Sequence, residues 1–177
     1  MENKIKSKKI ICHDLNNNEF EIDVNKFIFR PSVYGILIEN NKILLSKEWD
    51  GYNMPGGGVD IHETLEEALT REFFEETGLK VESLCTVHCE TSFFNPSHSA
   101  KHNGEYWNCP LVYCLVKKVG GEISKDNFDE EEKDYADLPE WIDLDKINKI
   151  KFFNSIDNVA VIKKVKKYIN NNRILNI

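Results

Sequence analysis

The sequence predicts an α/β or α+β sandwich built on a mixed sheet. Three observations carry that prediction. β-like runs lie both before and after one strongly helical segment at residues 65–77, and a second helical pattern closes the chain at residues 156–169. No internal repeat or long low-complexity linker divides the 177 residues. That length suits one hydrophobic core, so the expectation is a single domain over 1–177, with residues 1–30 as an N-terminal extension folded as a β-hairpin.

In chain order, residues 10–12 and 20–24 flank the Asn-rich turn Asn16, Asn17, Asn18 and form the expected hairpin. SVYGILIE (32–39) and KILLSKE (42–48) flank Asn40-Asn41, a dipeptide that tolerates the positive φ of a tight hairpin. WDGYNMPGGG (49–58) is expected to be loop, because three glycines after a proline disfavour regular structure. Residues 83–94 and 105–119 are expected strands joined by the polar NPSHSAKHNG. An acidic loop at 126–137 then leads to Trp141 and a short helix at 144–150. In the last helix Ile156, Val159, Ala160, Val165, Tyr168 and Ile169 recur at roughly helical spacing.

Composition bounds the function. With 41% apolar and 30% charged residues the chain is globular rather than disordered or collagen-like. No apolar run approaches the roughly 20 residues of a membrane helix and no signal core follows the basic start, so the expected address is the cytoplasm. The five cysteines are odd in number and lack CxxC spacing, which fits reduced, buried thiols. Cys85, His88 and Cys89 do not make a soft-metal site, because alternation along a strand splits them between faces. A net charge of −7 disfavours nucleic acid as a partner. If a polyanion is nevertheless the substrate, a multivalent cation has to mediate the meeting.

The central helix supplies the place for such a cation. Thr64 and Glu67 have capping-box spacing, and Gly78 stands where a left-handed residue would end the helix, which predicts a span of about 65–77. At about 100° per residue, with Ala68 at zero, Glu72, Glu75 and Glu76 fall near 40°, −20° and 80° and share one face. Leu65, Leu69 and Phe73 fall near 60°, 100° and 140°, so the acidic stripe overlaps the edge of the buried one. Arg71 lies beside it, within reach of Glu67 and Glu75 at i−4 and i+4. Two like charges about 6 Å apart repel by about 3 kcal/mol at an effective dielectric near 20, so partly buried carboxylates in this arrangement want a cation. Their hard oxygens suit Mg²⁺ or Mn²⁺. The preceding Pro55-Gly56-Gly57-Gly58 lets a backbone carbonyl approach the same ion.

These residues also spell Gly57, five residues, Glu63, seven residues, Arg71-Glu72-Phe73, one residue, Glu75-Glu76, one residue, Gly78-Leu79. The pattern resembles the Nudix box of the MutT-like hydrolases at every fixed position. With about 7% as the frequency of each of the seven fixed residues, a chance match is on the order of 10⁻⁸. The resemblance implies an α/β/α sandwich with a central mixed sheet and a metal-dependent pyrophosphohydrolase. Its substrate would be a nucleoside diphosphate linked to another moiety, a nucleoside triphosphate or an ADP-ribose-like nucleotide sugar. It implies that Glu72, Glu75 and Glu76 bind the metal with the Gly56 carbonyl, that Arg71 holds the glutamates, and that Glu63 supports the loop or assists an outer ion.

The general base is open. Among Glu130, Glu131, Glu132 and Asp134 of the acidic loop, Glu131 or Glu132 is favoured, and a plain solvated loop is the competing reading. Outside the box the signals thin out. The family's coenzyme A and NADH motifs are absent, and Pro96 matches the proline of ADP-ribose hydrolases only in approximate spacing. Trp49, Tyr52, Phe93, Phe94 and Trp107 are candidates to stack a base, of which Trp49, Tyr52, Phe94 and Trp107 are taken as substrate-binding. His98 and His102 lie in a polar loop and are candidates for phosphate contact or plain surface residues. The expected partner is a small nucleotide, with neither membrane nor nucleic acid, and the assembly is left open between monomer and homodimer. The competing function is a Nudix-fold sensor that binds a nucleotide without hydrolysing it.

Overall fold

A computed structural model of the chain describes residues 8–97, 99, 101–128, 130, 132–153 and 156–172. In chain order it contains β1 (Lys9–His13), β2 (Glu19–Asp23), β3 (Phe27–Phe29), β4 (Ser32–Glu39), β5 (Lys42–Glu48), β6 (Gly51–Asn53), β7 (Gly56–Gly58), α1 (Leu65–Thr77), β8 (Leu79–Phe94), β9 (Tyr106–Gly121), α2 (Glu132–Tyr135), β10 (Ala136–Asp143), a 3-10 segment (Leu144–Lys149) and α3 (Asn158–Asn172). The expected mixed sheet is present, in the order β10-β5-β4-β9-β8-β1-β2. β4 runs parallel to β9 from Ser32↔Leu111 to Leu37↔Val116, whereas the long β8 and β9 pair antiparallel. β3 continues the parallel pairing along β9.

Alternation along the strands sends side chains to two layers. Val33 and Leu37 of β4, with Leu44, Cys114 and Val116, pack on Ala68, Leu69 and Phe73 of α1. Ile36 and Ile38, with Ile43, Leu45 and Leu115, face the other way onto Leu144, Ile147 and the α3 residues Val161, Ile162, Val165 and Ile169. The sheet is thus enclosed between α1 and α3. Gly35 sets the approach of α1, because a Cβ there would lie 2.5 Å from the buried Phe73 ring.

The hairpins follow their turn residues. Asn40 and Asn41 have φ of 49° and 57°, the left-handed pair that a tight β4–β5 turn needs. Asn17, at φ 58°, turns β1 into β2, and His13 of that hairpin registers with Phe94 of β8. α1 is capped as its sequence requires: the Thr64 hydroxyl accepts from the Glu67 amide, the Glu67 carboxylate accepts from the Thr64 amide at 2.8 Å, and Gly78 closes the helix at φ 73°.

Five expectations are corrected. Within the expected loop 49–58, residues 51–53 form a strand paired with β5 and residues 56–58 a strand paired with β4, where glycine alone fits because a Cβ at Gly56 would lie 2.2 Å from the Val33 carbonyl oxygen. Residues 136–143 form β10 on the edge of β5, where Pro139 sits within a break of register that relieves the sheet of its missing N–H. Leu65 is 45% exposed, since it sits in the first turn of α1, outside the cluster beneath the helix. In α3 the expected Val165 and Ile169 are buried and Val159 half-buried, but Val161 and Ile162 join the stripe in place of Ala160 and Tyr168, which are exposed, and the buried Ile156 precedes the helix. Cys12, Cys109 and Cys114 are buried as expected, but Cys89 is exposed and Cys85 half-buried. Among the described residues no helix is long and apolar enough to cross a membrane.

Gly35→Val is expected to destabilise the protein by about 1–3 kcal/mol through overpacking against Phe73, read as a lower urea midpoint with an unchanged slope.

Candidate active site

β4 shares its outer edge between two partners. Ser32–Tyr34 pair with β7, and Ile38 and Glu39 pair with β5, while the Gly35 amide between them donates to the Pro55 carbonyl at 2.8 Å. Glu76 of α1 lies over this division. It accepts from the Ser46 hydroxyl of β5 at 2.5 Å and lies 3.4 Å from the Gly56 amide of β7. The adjacent glycine leaves room for a second carboxylate, since a Cβ on Gly57 would fall 2.5 Å from Glu72 Oε2. Glu72 is tucked into that space, and burial pushes its carboxyl above the ordinary value despite the neighbouring Arg71.

Arg71 ties this assembly together. Its Nε and Nη2 donate to the two oxygens of Glu63 at 2.6 and 2.8 Å, a bidentate pair, and Nη2 also reaches the Gly58 carbonyl at 3.1 Å. Its Nη1 lies 2.9 Å from Glu72 and 3.1 Å from Glu75. Glu67, expected at i−4, is instead engaged by the helix cap. The bidentate guanidinium, helped by the Asp60 amide at 3.1 Å, holds the Glu63 carboxyl down at about 2. In return the carboxylates raise the already high pKa of Arg71.

The structure therefore brings Gly56, Glu72, Glu75 and Glu76 to one wall. Their donor chemistry, three carboxylates and a backbone carbonyl, suits a hard divalent cation. The carboxylates are parked on Arg71 and Ser46 rather than gathered at a point. Among the described residues, the acids and histidine whose ligand atoms lie within 4.8 Å of one another are Asp60, His62 and Glu63. Both Glu63 oxygens there are already engaged by Arg71 and the Asp60 amide.

The wall borders a cleft of about 850 Å³, lined also by Arg30, Glu48, Asn53, Phe94, His102 and Trp107. The expected aromatic residues separate here. Phe94 lines the cleft. Trp107 borders it but is only 8% exposed, with Arg30 4.2 Å above its ring, its Nε1 donating to Glu105 at 2.6 Å and the His102 ring edge-on at 5.0 Å. Its face is thus taken by protein, which corrects its expected stacking role. Trp49 lies outside, stacked on Tyr135 at 4.4 Å and edge-on to Phe153, because the β5–β6 turn at φ 41° carries it onto those rings. Tyr52 turns to the far side of β6, where its hydroxyl donates to Glu140 at 2.9 Å. Neither Trp49 nor Tyr52 is a cleft residue, which corrects both expectations.

His102 pairs with Glu105 at 3.1 Å, whereas His98 and Glu131 lie outside the described residues. Glu132 begins α2, and its backbone alone is described. Sequence reasoning missed Arg30 and Glu48. Glu48 follows Leu44 and Ser46 on the α1 face of β5, so alternation from Leu44 would have found it. Burial pushes its carboxyl up to about 7, against two contacts of 3.1 Å from the Asn53 amide.

Because the Glu63 carboxyl lies near 2 in the folded protein and near 4.5 when unfolded, its stabilising contribution is complete above about pH 4.5 and is lost as pH falls towards 2. Glu63→Gln should therefore flatten the acid side of the stability profile, measured as urea midpoints between pH 5 and pH 2.

Comparison with known proteins agrees with this geometry. A model of the NUDIX domain matches residues 28–161. The ADP-ribose pyrophosphatase of Methanocaldococcus jannaschii is 31% identical over 146 residues, 78% of this chain and 74% of that protein. An RNA pyrophosphohydrolase from a Nitratiruptor species is 32% identical over 150 residues, 79% of this chain and 92% of that one. The crystal structure of an ADP-ribose pyrophosphatase from Streptococcus suis 89-1591 superposes with a TM-score of 0.54 at 21% identity, covering 78% of this chain and 92% of that one, which supports the fold. On the match of the family model and the identity to the Methanocaldococcus protein, the chain belongs to the NUDIX domain family of hydrolases.

Proposed function

We propose that this NUDIX hydrolase is a divalent-metal-dependent pyrophosphohydrolase of a nucleoside diphosphate linked to another moiety, either a nucleoside triphosphate or an ADP-ribose-like nucleotide sugar. The observation that carries this reading is Arg71, which presents Glu72 and Glu75 beside the side-chain-free Gly57 on the wall of the cleft. Glu72, Glu75 and Glu76, with the Gly56 carbonyl, would hold Mg²⁺ or Mn²⁺. Such an ion, when bound, neutralises the diphosphate and makes a water a better nucleophile at phosphorus.

The chain's own groups do the positioning. Ser46 and the Gly56 amide orient Glu76 across the divided edge of β4, and Glu63 anchors the guanidinium that orients Glu72 and Glu75. An acid from the segment before β10, Glu131 or Glu132, is our assignment for the proton acceptor in the attack of water. Phe94 is the aromatic wall we assign to the base.

A cleft of about 850 Å³ matches one small nucleotide, and its many carboxylates oppose a long polyanion, so a nucleotide is favoured over an RNA end. We assign the chain to the cytoplasm as a single domain, with the β1–β2 hairpin as an N-terminal addition.

Purified protein with Mg²⁺ should release nucleotide and phosphate products from ADP-ribose or a deoxynucleoside triphosphate. Chelation should stop release, and Glu75→Gln should lower turnover by about 10²-fold or more. Undiminished turnover in Glu75→Gln would remove the metal assignment. Tight nucleotide binding without turnover across the panel would favour the sensor reading.

A further inference from the structure

Arg30 is a cation whose setting the metal wall does not explain. Its backbone is fixed at the entry to β4, where its amide donates to the Asn108 carbonyl at 2.9 Å and the next residue, Pro31, accepts from Val59 at 2.9 Å. The guanidinium lies over Trp107, with its carbon 4.2 Å from the ring centre, and Nη1 donates to the Ser32 hydroxyl at 3.2 Å. Trp107 is itself locked by Glu105 at 2.6 Å, so the platform under the guanidinium is rigid. Gly58 admits the group, since a Cβ there would lie 2.5 Å from Nη2.

What distinguishes Arg30 is the lack of an anion. Arg71 spends its donors on Glu63, Glu72, Glu75 and a carbonyl. Among the described residues no carboxylate lies within 4.0 Å of Arg30, although the chain carries 30 acids against 23 basic residues. A cation–π contact offsets only part of the desolvation of a half-buried guanidinium. Its remaining donors border the same cleft as Glu72, whose carboxylate is near enough to feel its charge. A planar fork with unused N–H groups and a fixed orientation is suited to a phosphate.

We propose that Arg30, laid on Trp107, binds a phosphate of the substrate and so selects phosphate-bearing ligands. This rests on the diphosphate reading above. Trp107 then serves as the support of an anion-binding arginine rather than as a base platform, and Gly58 is required because it makes room for that arginine. The role is one of binding, separate from the carboxylates that would hold the ion.

Inorganic pyrophosphate with Mg²⁺, titrated calorimetrically into the full chain, is the direct probe. Arg30→Gln should weaken its binding by about tenfold or more, while Arg30→Lys, which keeps the charge and loses the fork, should fall between. With ADP-ribose as substrate, KM should rise by a larger factor than kcat falls. Adenosine, which has no phosphate, should bind wild type and Arg30→Gln alike. A purely structural brace for Trp107 predicts instead a lower thermal midpoint with pyrophosphate affinity within twofold of wild type, and that result would overturn the proposal. Should Arg30→Gln not fold, phenylglyoxal labelling of the native chain provides the second measurement. Labelling of Arg30, read by mass spectrometry, should be blocked by pyrophosphate and not by adenosine; equal labelling with and without pyrophosphate overturns the proposal. Turnover that depends on Glu75 but is indifferent to Arg30 sinks this inference alone, whereas absence of both turnover and pyrophosphate binding in the wild type sinks the diphosphate reading with it.

Discussion

The structure depends on one guanidinium. Arg71 joins the loop before α1, through Glu63 and the Gly58 carbonyl, to the acidic face of the helix, through Glu72 and Glu75. Unlike charges in that position relieve repulsion of about 3 kcal/mol per carboxylate pair at an intermediate dielectric. They also fix direction, because the fork at Glu63 leaves only Nη1 for Glu72 and Glu75. The loop, the helix and the cleft wall are therefore positioned as one unit.

Absent side chains matter almost as much as that charge. Gly35 lets Phe73 close on the sheet, Gly57 gives space to the Glu72 carboxylate, and Gly58 gives space to Arg30. Each case is a close approach rather than a requirement for flexibility, and together they decide how near α1 and the β3–β4 junction come to β7. Packing and chemistry share this constraint: the helix that fills the core with Leu69 and Phe73 is the helix that carries the acids, so a shift of one displaces the other.

Elements with a strong local signature were legible in the sequence. The capping box and Gly78 bounded α1, and the asparagine pair marked the turn between the apolar runs that form β4 and β5. β7 and β10 were not legible. A glycine triplet has no side-chain pattern to alternate, and β10 buries little besides Pro139, so both exist as strands only because a neighbour's edge offers hydrogen bonds. The α3 stripe was read only in part, with Val165 and Ile169 found and Val161 and Ile162 missed, for a related reason. Several registers of an amphipathic helix look alike in sequence, and the sheet face selects one.

For the candidate site, residue spacing alone determined that Glu72, Glu75 and Glu76 share a face and that glycine precedes them, because a helix converts spacing into direction. Tertiary structure decided everything whose partners are distant in the chain. It placed Ser46 on Glu76, Arg30 on Trp107, and Trp49 and Tyr52 away from the cleft. The physical reason is that an aromatic ring or a lone arginine carries no periodic signal of its own. Its role depends on which element, distant in the chain, the fold brings beside it.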